Sequence, residues 1–71
     1  MEYAREELLE ARRQIASTVH KLGEVVKTLE AKEEPARYKA QITLAKRRVA
    51  AFTLAERLIE EKLEKQEKER I

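Results

Sequence analysis

The sequence has no cysteine and no tryptophan, and it has one glycine (Gly23), one proline (Pro35), one histidine (His20) and one serine (Ser17). Without cysteine, neither a disulfide framework nor a thiolate metal site can form, and the chain suits a reducing compartment. A lone histidine beside Lys21 cannot supply the several converging ligands that a metal needs. Ser17 has no Ser–His–carboxylate arrangement around it that the spacing supports. A glycine-rich phosphate loop is impossible with a single glycine. The glutamates have Lys or Arg neighbours at helical spacing, so they are expected as paired surface charge rather than as acid–base catalysts. No catalytic, cofactor-binding or metal-binding residues are therefore expected, and the chain is not expected to be an enzyme. There is no apolar run of membrane-span length and no charged n-region leading into an apolar h-region. The expectation is a soluble protein made without a cleaved signal.

Charged residues make up 42% of the chain and apolar residues another 42%, a balance with few turn formers that describes long helices. Net charge is +2, and the two signs are interspersed. A nucleic-acid footprint needs basic residues gathered on one surface. The one basic run, Lys46-Arg47-Arg48, would splay over about 200° of a helix. Tyr3, Tyr38 and Phe52 are the only aromatics, too few for a stacking platform. Nucleic-acid binding thus ranks below protein binding. With 71 residues the chain is expected to form a single domain, 1–71, whose core is marginal unless something else is buried against it.

Two helical stripes are visible. Ala4, Leu8, Ala11, Ile15, Val19, Leu22, Val26 and Leu29 recur at steps of three and four, which places them on one face of a helix. Gly23 falls off that stripe, and it is either tolerated or a point of close approach. A second stripe holds Tyr38, Ile42, Ala45, Val49, Phe52, Ile59 and Leu63, interrupted at Glu56. Between them, Lys32-Glu33-Glu34-Pro35 ends one helix and begins another, because proline cannot continue a helix but suits a first turn. The predicted fold is all-α: an antiparallel, coiled-coil-like two-helix hairpin, with helix 1 at about 2–32, a hinge at 33–34 and helix 2 at about 35–68. The charged end, with pairs such as Glu61–Lys65 and Glu64–Lys68, supports its own helix locally.

The hinge sets a register. Residues facing each other should have numbers that sum to about 67. Leu29 then meets Tyr38, Leu22 meets Ala45, Val19 meets Val49, Ile15 meets Phe52 and Leu8 meets Ile59, apolar against apolar at almost every level. Arg12 and Glu56 interrupt the two stripes at one level and are expected to pair across the hairpin.

Helix 2 carries a second apolar column, Ala40, Leu44, Ala51, Ala55 and Leu58, roughly 100° around from the first. Helix 1 cannot cover both. Burying a leucine contributes roughly 1.5–3 kcal/mol, so this column is expected to meet a partner, with the alanines permitting close helix approach. Gln41, Arg48 and Lys62 border it as a polar rim.

The segment from Ile15 to Leu63 resembles the small co-chaperones of type III secretion needle subunits. The likeness lies in Leu22, Val25, Val26, Lys27 and Leu29, in the hinge followed by Pro35-Ala36-Arg37-Tyr38-Lys39-Ala40-Gln41, and in the later Ala45, Ala50, Ala51, Ala55, Leu58 and Ile59. The start before Ile15 and the charged tail after Leu63 lie outside it. The resemblance implies a helical hairpin that pairs with a larger chaperone of helical repeats. Together they would hold a needle subunit unpolymerised in the bacterial cytoplasm. Tyr38 and the helix 2 alanines are the positions that carry over. The alternatives that the residues leave open are a self-associating structural hairpin forming a homo-oligomeric four-helix bundle, and a small nucleic-acid-binding regulator.

Overall fold

A computed structural model describes residues 3–69. The chain is an antiparallel hairpin of two helices, α1 (Arg5–Glu30) and α2 (Lys39–Glu69), linked by a turn and one 3-10 segment, Pro35–Tyr38. Among the described residues there is no strand.

Both helix boundaries next to the hinge differ from the sequence expectation, and each has a local cause. Helix 1 was expected to reach residue 32 but ends at Glu30, where its last turn tightens: the Lys32 N–H donates to the Leu29 carbonyl at 3.3 Å. The non-helical stretch is therefore 31–34 rather than 33–34. Glu34, held out of the helical region by the following proline, has φ −124° and ψ 74°. Pro35 then starts a 3-10 turn in which the Arg37 N–H reaches the Glu34 carbonyl at 3.0 Å, and the α-helical pattern begins only at Lys39. At the other end, α1 starts at Arg5, with Ala4 as its N-cap. Alanine has no side-chain acceptor for the free N–H groups, and the sequence contains no Asp or Asn to do better. Glu6 and Glu7 in the first turn offset this through the helix dipole. Residue 2, where helix 1 was expected to begin, lies outside the described residues.

The two stripes do face each other. Every stripe residue from Leu8 to Leu29 and from Tyr38 to Leu63 is buried or half-buried. Ile15 and Phe52 line one recess, and Leu22 and Ala45 line another, as the register of 67 requires. Other contacts run about two higher: Val25 shares a recess with Leu44, and Gln66 Nε2 donates to the Tyr3 carbonyl at 2.7 Å. Side chains lean toward the N-terminus of their own helix. In an antiparallel pair that slant makes a residue nearer the turn on α1 meet one farther from the turn on α2. The Lys46–Glu30 ion pair, at 3.0 Å, is the extreme case, both long side chains leaning into the gap between them.

One cross-helix expectation is not met. Arg12 and Glu56 are both half-buried at their common level, but among the described residues no ion pair joins them; cross-helix pairing goes to Lys46 and Glu30 instead. Exposed pairs such as Lys46–Glu30 contribute only about 0.2–1 kcal/mol, so packing dominates the alignment.

That packing is thin. Among the described residues only Leu8, Ala45 and Leu63 are less than a tenth exposed, and no large side chain is fully enclosed. Phe52 meets Ile15 as expected but is only half-buried, in a shallow recess with Gln14 and Thr18. The cause is architectural. Two helices form a single layer, and a side chain between them has neighbours on two sides only, whereas domains ordinarily enclose their cores between packed layers.

Two substitutions test these local readings. Beyond its chain neighbours and the backbone of its own helix, no heavy atom among the described residues lies within 4 Å of the Cβ that an alanine at 23 would carry, so Gly23 is not a point of close approach. Gly23→Ala is expected to stabilise the hairpin by about 0.5–1 kcal/mol through helix propensity and a less flexible unfolded chain, read as a raised melting temperature. Arg5 Nη1 is buried without a hydrogen-bond partner among the described residues. Replacing a group that is desolvated and unpaired removes a penalty of about 1–3 kcal/mol, so Arg5→Leu should leave the melting temperature unchanged or raise it.

Candidate interaction face

A hairpin has two lateral sides, and the sequence makes them unlike. One side carries Arg5, Arg12, Gly23, Glu30 and Lys46, with a cross-helix ion pair between Lys46 and Glu30. On the other side Val25 and Leu44 come together from the two helices, in a shallow recess with Leu22 and Leu29 at its floor and Gln41 and Arg48 at its rim. Val25 is 46% exposed and Leu44 49%. Continuing from Leu44 along α2, steps of seven reach Ala51 and Leu58 on the same line. Leu58 is 56% exposed, and Leu54, one turn before it on the outward surface, is 60% exposed.

The sequence-predicted column thus lies where it was placed, on the flank of α2 that α1 leaves uncovered. Ala40, Leu44, Ala51 and Leu58 are exposed, and Ala55 is half-buried against the seam. Of the expected rim, Gln41 and Arg48 border the recess and are exposed. Lys62 is half-buried and already engaged in an interaction of its own. A second shallow depression near the turn brings Ala40 and Leu44 together with Arg37, Lys39 and Arg47, which gives that end of the column a basic border. Sequence reasoning did not single out Val25 or Leu54 for this face. Val25 adjoins the core residue Val26, and only the helix phase separates the two roles. Leu54 is signalled by its four-residue spacing from Leu58.

Away from this face the exposed large apolar side chains among the described residues are Tyr3 and Leu9, and the remaining surface is mostly polar. His20 is exposed on α1, and Arg13 pairs with Glu10 within the same helix. Among the described residues, no group of three or more His, Cys, Asp or Glu side chains is placed to hold a metal. Among them, too, no helix is long and apolar enough to cross a membrane.

No protein-family model, curated protein or solved structure significantly matches the chain. Its function is accordingly argued from its own residues.

Proposed function

We propose that the chain is a non-enzymatic protein-binding module that offers the lateral face of α2 to a helix of another protein, in the manner of a co-chaperone for a type III secretion needle subunit. The observation that carries this is the row of exposed leucines and alanines on α2, Leu44, Ala51 and Leu58, flanked by Val25 of α1. A solvated row of that kind forfeits the stabilisation that burial would give, and contiguous apolar surface of this sort marks interaction sites. The shape supports the same view. The hairpin measures 55 × 17 × 14 Å, and its radius of gyration is 16.1 Å, against about 11 Å for a compact chain of this length. A helix laid along α2 would supply the missing second layer. The alanines let it approach closely, while Leu44 and Leu58 act as anchors.

The more specific role rests on the resemblance of residues 15–63 to needle-subunit co-chaperones. Co-expression with a needle subunit and a helical-repeat chaperone, followed by sizing of the products, tests it. A co-chaperone would elute with both proteins and keep the subunit unpolymerised. A hairpin that elutes without them, while those two pair in its absence, would overturn the role.

A further inference from the structure

The exposed row on α2 has a symmetry that a binding face for an unrelated helix would not need. Leu44, Ala51 and Leu58 are spaced seven and seven, so these three positions read the same in both directions about Ala51, while Ala40, Leu54 and Ala55 would lie at the levels of Lys62, Arg48 and Arg47 of the second copy. A two-fold axis through Ala51 would lay α2 antiparallel on a second α2, with each Leu44 against the partner's Leu58 and the two Ala51 residues meeting at the axis. Isologous contacts require this kind of self-complementarity. From these features we infer that, in the absence of another partner, the face is covered by a second copy of this chain, α2 against α2, antiparallel and centred on Ala51. The inference rests on the proposal that this face of α2 is the binding surface, and adds that its free form is a homodimer which a partner must displace.

Charge favours this orientation over the parallel one. An axis at Ala51 divides the hairpin into a turn half, residues 18–50, and an open half. The turn half holds eight Lys and Arg against four Glu, whereas the open half holds eight against ten. Antiparallel stacking places each basic half over the partner's acidic half, and parallel stacking would oppose like with like. In the antiparallel arrangement Lys39 reaches the level of the partner's Leu63. The charged end beyond it, with Glu64, Glu67 and Glu69, then extends alongside the turn that carries Lys32, Arg37 and Lys39. This gives the tail a role beyond the bond from Gln66 to the Tyr3 carbonyl that it makes within the hairpin.

The area agrees. The hairpin exposes 5948 Å², whereas a compact monomer of 8.3 kDa exposes about 4,600 Å². The excess, roughly 1,300 Å², is more than the roughly 800 Å² per partner that a standard stable interface buries.

The absence of native cysteine makes the test clean. Sedimentation of the wild-type chain should give twice the monomer mass. Under mild oxidation Ala51→Cys should link to itself, because only residues at the axis come within disulfide reach of their own copies. Leu44→Cys alone and Leu58→Cys alone should link at least about tenfold more slowly, while an equimolar mixture of the two should form the mixed dimer readily. A monomer at every concentration would overturn the inference and leave the proposed binding face standing. Rapid self-linkage of Leu44→Cys would overturn it in favour of a parallel pair. A dimer with the predicted linkages that a needle subunit and its chaperone never dissociate would support the inference and overturn the co-chaperone role instead.

Discussion

Replacing Leu63 with alanine is expected to unfold the hairpin at moderate temperature. Leu63 and Leu8 are the only large side chains among the described residues that are less than a tenth exposed, and both lie toward the open end, far from the covalent turn. The turn holds the helices together at one end by connectivity. The other end has no such covalent tie and depends on packing, supported by the hydrogen bond from Gln66 to the Tyr3 carbonyl. Removing a buried leucine side chain typically costs about 2–5 kcal/mol, the lost transfer energy plus the cavity left behind. Marginal domains have about 5 kcal/mol to lose, and each kcal/mol moves the melting temperature by about 4–8 °C in a chain of this size. The helices should then separate from the open end inward. Thermal melts followed by circular dichroism check this, with His20→Ala as the control, since His20 is exposed and its loss should change stability by no more than about 0.5 kcal/mol. Equal melting temperatures for the two variants would place the structural core elsewhere.

Ala51→Glu is expected to abolish association while leaving the hairpin folded. Ala51 is exposed in the single chain, midway between Leu44 and Leu58 on the uncovered flank of α2. A glutamate there costs the isolated helix little, because its helix propensity is close to that of alanine. At a closed helix–helix contact the same carboxylate would be desolvated without a partner, at a cost of several kcal/mol. It would also hold apart two helices that the alanine lets approach closely. Sizing should show the loss of the complex, and circular dichroism should show helicity close to that of the wild type. Undiminished complex formation would move the interface off this flank.

Much of this was legible in the sequence because a helix repeats every 3.6 residues. The core stripes of both helices, the hinge at Pro35 and the uncovered column from Ala40 to Leu58 all follow from periodicity and one proline. What periodicity could not convey was the slant of the side chains. Pairing by level put Arg12 against Glu56, whereas the cross-helix ion pair that forms joins Lys46 to Glu30, their long side chains leaning toward each other. Nor does a helix phase report how much surface one neighbour can cover. Phe52 occupies the core stripe, yet a single helix opposite it leaves it only half-buried. Val25, beside the core residue Val26, was assigned to the face only when the two helices stood together. The 3-10 turn at Pro35–Tyr38 is likewise a matter of local geometry that a proline predicts only as a boundary.

The claim on which the rest depends is that the flank of α2 bearing Leu44 and Leu58 is covered by another chain, while Leu8 and Leu63 hold the hairpin together. Leucine-methyl NMR reads both groups at once, across a wide dilution series and then on addition of a needle subunit with its helical-repeat chaperone. The methyl signals of Leu44 and Leu58 should shift or broaden as the face is covered, and those of Leu8 and Leu63 should stay fixed throughout. Signals from Leu44 and Leu58 that remain unchanged under every condition, or changes confined to Leu8 and Leu63, would contradict it.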